Sequence, residues 1–319
     1  MPRFNAVKWF ALAMLLLATA LVCAISTAPA NAAAAAGNAL TQKQEKVTDS
    51  LGETFVPRDF QRMVTLAPNL TETVHFLGEF DRIVGVTSYD NYPPEVTELP
   101  EVGGYVNPSV EKIVALKPDL VLAFRGNPLP VINKLKELGI TVFVLDNPSS
   151  LREILEQMEK VAQLIEAPDS ARDKIDALRK GLDLREKAIK ALPRRPRVLM
   201  LACCLAPPFY AAGRGTFIDD LIRLAGGENT FKGKGFAVAS AEDIVVADPQ
   251  YLLLPAPPGD AKYRQEVLAK LRQYSYLAQT TAVKKGRIIL IDEDILTRPG
   301  PRIFQALEIL ARELKGVGV

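Results

Sequence analysis

From Arg62 onward the chain alternates short apolar runs with stretches whose apolar residues recur every three or four positions. Runs of strand type lie at Met63–Leu66, Ile83–Val86, Leu120–Phe124 and Thr141–Leu145, and helical stretches at Leu70–Leu77, Val110–Leu116 and Pro130–Leu138. That rhythm predicts a βα sheet. A second set begins at Arg197, with strands at Val198–Cys203, Tyr251–Leu254 and Arg287–Ile291 and helices at Phe217–Ala225, Ala241–Val246, Tyr263–Arg272 and Ile303–Leu314. The pattern therefore predicts two α/β lobes, at residues 61–165 and 194–319.

Between them, residues 166–193 read as one connecting helix. Pro168-Asp169-Ser170 opens it, Pro193 closes it, and Ile175, Leu178, Leu182, Ile189 and Leu192 share one side. A helix from Asp169 to Leu192 spans about 36 Å at ~1.5 Å per residue, enough to bridge two lobes stiffly. Gly181 is the one weak point in its middle.

The first 60 residues differ in kind. Arg3 and Lys8 precede an apolar run from Trp9 to Ile25, and the sites Ala28-Pro29-Ala30 and Ala30-Asn31-Ala32 follow, which is the order of a secretory signal cleaved near Ala32. A lipoprotein variant acylated at Cys23 is disfavoured because Ala20-Leu21-Val22 are not uniformly small. Residues 33–60 have no sustained period and read as a poorly ordered leader, with an edge strand possible at Thr54-Phe55-Val56.

Composition narrows the function. The 319 residues are 48% hydrophobic and 24% charged with a net charge of +2, and removal of Arg3 and Lys8 from the 39 bases leaves 37 against 37 acids. No attraction to nucleic acid or anionic surfaces follows. His75 is the only histidine, which argues against histidine metal sites and Ser-His-acid catalysis. Cys203 and Cys204 are neighbours on a predicted strand, where pairing is strained, and read as buried thiols.

One internal echo stands out. Gly104-Tyr105-Val106-Asn107-Pro108-Ser109-Val110-Glu111 recurs as Gly235-Phe236-Ala237-Val238-Ala239-Ser240-Ala241-Glu242, and the later Pro118 and Pro249 keep the same offset. Each copy reads as an aromatic, a Ser N-cap and a first-turn acid, so Glu111 and Glu242 serve as helix-end stabilisers or as a matched pair of handles for a partner.

The run RMVTLAPNLTETVHFLGEFDRIVGVTSYDNYPPEVTELPEVGGYVNPSVEKIVALKPDLVLAFRG, with the later GGENTF and RPGPRI, resembles the periplasmic substrate-binding proteins of ABC importers for cobalamin, haem and ferric siderophores. The resemblance spans about Arg62 to Leu314 and is closest to the cobalamin branch. It implies two α/β lobes joined by a rigid helix, a ligand cleft between them, and no catalysis. Residue by residue, it implies ligand contacts from Tyr89, Tyr105, Phe124, Phe209, Phe236, Asp294 and Arg298, and permease docking through Glu111 and Glu242. The ligand implied is a corrinoid, which brings its own cobalt, so the protein needs no resident cofactor or metal. The implied partner is an ABC permease dimer, with the receptor itself a monomer. Haem or a ferric siderophore in the same fold is the alternative, and an exported enzyme the third.

Overall fold

The computed structural model describes residues 45–202, 206–257 and 261–315. The signal segment, Cys23, Cys203 and Cys204 lie outside the described residues.

The first lobe runs through β1 (Val47–Thr48), β2 (Thr54–Phe55), β3 (Met63–Thr65), α1 (Pro68–Phe76), β4 (Ile83–Gly85), β5 (Gly103–Gly104), β6 (Asn107–Pro108), α2 (Val110–Ala115), β7 (Leu120–Phe124), α3 (Leu129–Glu137), β8 (Thr141–Leu145) and α4 (Leu151–Leu164). Four strands make a parallel sheet in the order β4-β3-β7-β8. Every residue of β7 is buried, which is why it reads as an unbroken apolar run. The pattern assigned no element to α4, although Ser150 caps it and Leu151, Ile154, Leu155, Met158 and Val161 bury one face at helical spacing. The expected loose leader also ends earlier than residue 60. β1 pairs with β2, Val47 and Phe60 are buried, and Asp49 Oδ2 accepts the Val144 amide of β8.

Next comes α5 (Asp169–Lys190), two residues shorter than the sequence suggested and about 33 Å long. It packs on α4 and on the second lobe's first helix, α6 (Phe217–Leu224), and Glu186 near its carboxyl end pairs with Arg152 of α4 and Arg223 of α6. Gly181 faces open space, since a Cβ there would meet nothing within 4 Å. We expect Gly181→Ala to raise stability by about 0.5–1 kcal/mol in urea titrations, because it removes unfolded-state freedom without a clash.

The second lobe consists of β9 (Arg197–Met200), β10 (Tyr210–Ala212), α6, β11 (Glu228–Asn229), β12 (Phe236–Val238), α7 (Ala241–Ala247), β13 (Tyr251–Ala256), α8 (Ala261–Leu271), α9 (Ser275–Ala278), α10 (Thr281–Lys284), β14 (Ile288–Asp292), α11 (Glu293–Thr297) and α12 (Ile303–Lys315). Its parallel sheet has the order β11-β9-β13-β14. Both sheets thus send their first connection one way and their later one the other, leaving a crevice beside β3 in one lobe and β9 in the other at the strands' carboxyl ends. Two α/β lobes joined by one long helix is the architecture that the pattern predicted. The echo is structural too: Ser109 and Ser240 cap α2 and α7, each followed by a buried strand.

Candidate functional site: the inter-lobe cleft

At the carboxyl ends of the first lobe's strands, Tyr89 and Tyr105 come together. Tyr89 follows β4, is 59% exposed, and lies over Gly104, where a Cβ would come within 3.3 Å of its ring. Tyr105 sits at the tip of the β5–β6 ribbon, half-buried, and its hydroxyl donates to the Arg125 carbonyl at 2.8 Å. Burial raises its pKa above the ordinary tyrosine value. Gly126, at φ +118°, leaves room for that phenol: a Cβ would stand 2.2 Å from its oxygen. Asn127 fixes the arrangement from inside, donating to the carbonyls of Leu66 at 2.9 Å and Tyr105 at 2.8 Å and accepting the Phe124 amide at 2.7 Å.

The second lobe offers the counterpart. β10 and β12 pair antiparallel, with Tyr210 opposite Val238 and Ala212 opposite Phe236, so these four residues share one face of the ribbon. Phe236 is 52% exposed, Val238 50% and Tyr210 41%. Tyr210 and Val238 were not among the residues singled out from sequence; the register of the ribbon sets them opposite one another, both exposed.

Two other candidates are placed elsewhere. Phe124, the last residue of β7, is buried in the main core. Phe209 is also buried, with Tyr274 and Tyr276 edge-on at 5.4 and 6.3 Å ring-centroid distances. Their apolar area is taken up by their own lobes, so neither presents a face to a ligand in this structure. His75 is half-buried between the rings of Phe80 and Tyr92.

Asp294 and Arg298 meet each other at 2.7 Å, but most of their bonds reach the other lobe. Asn91 donates to Asp294 at 2.7 Å. Arg298 donates to Asn91 at 2.8 Å, to the Tyr89 carbonyl at 3.1 Å and to Glu72 at 3.0 Å. Arg302 donates twice to Glu72, at 2.6 and 2.9 Å, and stacks 4.4 Å from the Tyr92 ring centre. Burial works against the Arg302 charge, but Glu72 outweighs it and raises its pKa. The Glu72 side chain is only 1% exposed. Glu72, Asn91 and Arg302 escape sequence reasoning because their partners are some 200 residues distant.

Asp90, in the same loop, has its pKa raised chiefly by burial, against opposing bonds from Thr71 and Thr87 and the charge of Arg298. A carboxyl with a raised folded-state pKa favours folding while protonated, and that benefit is lost as pH rises through the folded value. Asp90→Asn should therefore raise the melting temperature by roughly 2 °C at pH 7 and leave it unchanged below pH 4, as calorimetry can check.

Glu111 and Glu242 are exposed in the first turns of α2 and α7. The Glu111 backbone N–H and the Ser109 hydroxyl, 2.9 Å away, hold its carboxyl below the ordinary value. Among the described residues, no group of three or more His, Cys, Asp or Glu side chains is placed to hold a metal ion, and no helix is long and apolar enough to cross a membrane.

Residues 63–295 match a family described as periplasmic binding protein. The chain belongs to that family. The uncharacterized ABC transporter substrate-binding lipoprotein YvrC of Bacillus subtilis (strain 168) is 29% identical to this periplasmic binding protein over 265 residues, 81% of each chain. The vitamin B12-binding protein of Yersinia pestis (strain Pestoides F) is 29% identical over 261 residues, 81% of this chain and 87% of its own. Among solved structures, the periplasmic heme-binding protein RhuT from Roseiflexus sp. RS-1, in its apo form, superposes with a TM-score of 0.70 at 28% identity, covering 80% of this chain and 98% of its own. This periplasmic binding protein is thus of the type that serves ABC importers of B12, haem and siderophores.

Proposed function

We propose that this protein captures a corrinoid of the cobalamin type between its lobes and delivers it to an ABC permease dimer, with no catalytic step and no resident cofactor. One observation carries the reading: each lobe offers aromatic and apolar side chains on or beside a short ribbon at the carboxyl ends of its strands, exposed Tyr89 with half-buried Tyr105 on one side, exposed Phe236, Tyr210 and Val238 on the other. Such paired walls suit a large, mostly neutral macrocycle, and aromatic contacts each contribute ~1 kcal/mol beyond burial. The name of the Yersinia relative supports the same ligand.

Asp294 and Arg298 border this cleft, whereas Phe124 and Phe209 support it from within. The N-terminal segment is read as an export signal cleaved near Ala32, leaving a monomer outside the cytoplasm with no nucleic-acid partner. Glu111 and Glu242, one on each lobe and at one repeat offset, are the docking acids for the permease.

The alternative cargo is haem or a ferric siderophore, favoured by the likeness to a heme-binding structure and by the exposed phenol of Tyr89. Calorimetric titration with cyanocobalamin, cobinamide, haemin and ferric siderophores distinguishes them. Cyanocobalamin should bind, and Tyr105→Ala or Phe236→Ala should weaken it five- to twentyfold. Binding of haemin alone would transfer the assignment to the alternative. Changing both Glu111 and Glu242 to Lys should leave that affinity intact and abolish most uptake, and normal uptake would refute the docking role.

A further inference from the structure

We propose that Glu72 is a positioning residue of the cleft: through Arg298 it sets the conformation of the 89–91 segment and hence the placement of Tyr89. The inference deepens the receptor reading, on which the role of Tyr89 as a ligand contact rests.

Glu72 lies on α1 in the first lobe and Arg298 just after α11 in the second, 226 residues apart, and their side chains are 1% and 15% exposed. A buried carboxylate without a partner is strongly unfavourable, so Glu72 holds the guanidinium in one place. Arginine's donors are fixed in a planar fork. Once Nη1 is committed to Glu72, the geometry of the group dictates where the other N–H bonds point, and two of the three other acceptors are on one short loop, the third being Asp294. Nη1 also reaches Asn91 Oδ1 at 2.8 Å and Nη2 reaches the Tyr89 carbonyl at 3.1 Å. Asn91 in turn donates to Asp294, which pairs with Arg298 at 2.7 Å.

Within its own lobe the loop is tied to β5 and Thr87: the Ser88 amide donates to the Gly103 carbonyl at 3.0 Å, the Tyr89 amide to the Thr87 hydroxyl at 3.3 Å, and the Asp90 carboxylate accepts the Thr87 amide at 2.9 Å and hydroxyl at 2.6 Å. Those bonds leave the Tyr89 carbonyl and the Asn91 side chain to Arg298 of the second lobe. Both terminal nitrogens of Arg298 are thereby engaged within the protein, so its effect on a ligand passes through Tyr89.

Hydrogen exchange on the full-length protein without ligand tests this. In Glu72→Gln and in Arg298→Lys, exchange at the amides of Tyr89 and Asp90 should accelerate at least tenfold more than at those of β7 and β13, whose rates report any loss of global stability. Arg185→Lys, which weakens the ion pair with Glu308 between α5 and α12, should leave Tyr89 and Asp90 unchanged. Unaltered exchange at Tyr89 and Asp90 in Arg298→Lys overturns the proposal, and so does equal acceleration there and throughout both sheets.

A second arm uses cyanocobalamin. Glu72→Gln should weaken its binding about tenfold in the native background and less than twofold when Tyr89 is already alanine, whereas equal losses in the two backgrounds reject action through Tyr89. If the unaltered protein does not bind cyanocobalamin, the cargo assignment fails, and the exchange measurement alone decides the positioning role.

Discussion

Truncating Glu72 to alanine is expected to remove about 3–5 kcal/mol of folding stability, the largest effect of any single polar substitution in the described residues. The loss arises less from the bonds themselves than from what they leave behind. Arg302, 12% exposed, would lose its carboxylate partner, and Arg298, 15% exposed, would be left with Asp294 alone. A control separates this cause from simple loss of packing. Replacing Glu72 by Leu and both Arg298 and Arg302 by Met, with Asp294, the other partner of Arg298, changed to Asn in both the single and the combined variant, removes the buried charges together and should restore most of the stability, since well-packed apolar groups of similar volume commonly match a buried ion cluster. Urea denaturation of the single and combined variants decides the matter: a combined variant as unstable as the single one would show that buried charge is not the cause.

Asn127→Ala should cost roughly 3 kcal/mol and loosen the cleft as well. The side chain is buried and makes three hydrogen bonds, to Leu66, Tyr105 and Phe124, that join the end of β3, the tip of the β5–β6 ribbon and the end of β7. Its loss strands two carbonyls and an amide away from water, each worth about 1–3 kcal/mol if unsatisfied. Asn127→Asp is the sharper probe, because it retains the acceptor for the Phe124 amide and loses only the donors. It should destabilise the protein, and thermal melts of the two variants beside the parent provide the check.

How much of this was legible in the chain depends on the range of the forces involved. β7, β8 and β13 are continuous apolar runs because both faces are covered, and such runs need no partner to be recognised. The helices α2 and α7 carry their own Ser caps. The helix α4 carries as clear a signature, Ser150 with Glu153 three residues on and an apolar stripe behind it, in the stretch to which no element was assigned. Residues 45–60 are another matter. Thr54-Phe55 forms the edge strand that the sequence offered, but Val47 and Phe60 are isolated apolar residues in a polar segment, and only the surface of the lobe they cover explains them. For the cleft, residue type identified aromatics but not which way each ring turns. Tyr89 and Phe236 face outward, and Phe124 and Phe209 inward, a choice made by neighbours such as Tyr274 and Tyr276 far along the chain. The Glu72 cluster is the extreme case, since no local pattern links a glutamate at 72 to arginines at 298 and 302.

That separation also dictates an order of assembly. The first sheet has all its strands once the chain has been made to residue 145, and α4 covers it by residue 164. The carboxylate at 72 must then wait until residue 298, 226 positions beyond it, before its first cationic partner exists. Until residue 302 has been synthesised, the earlier lobe is a nearly complete fold with an unneutralised acid on the surface that its sister will cover, and long-range pairings of this kind are the slow ones. A chain ending before residue 298 should consequently retain native-like protection in β3, β7 and β8 while lacking both cationic partners of Glu72, so the last stretch of the chain, α12 included, closes the junction between the lobes.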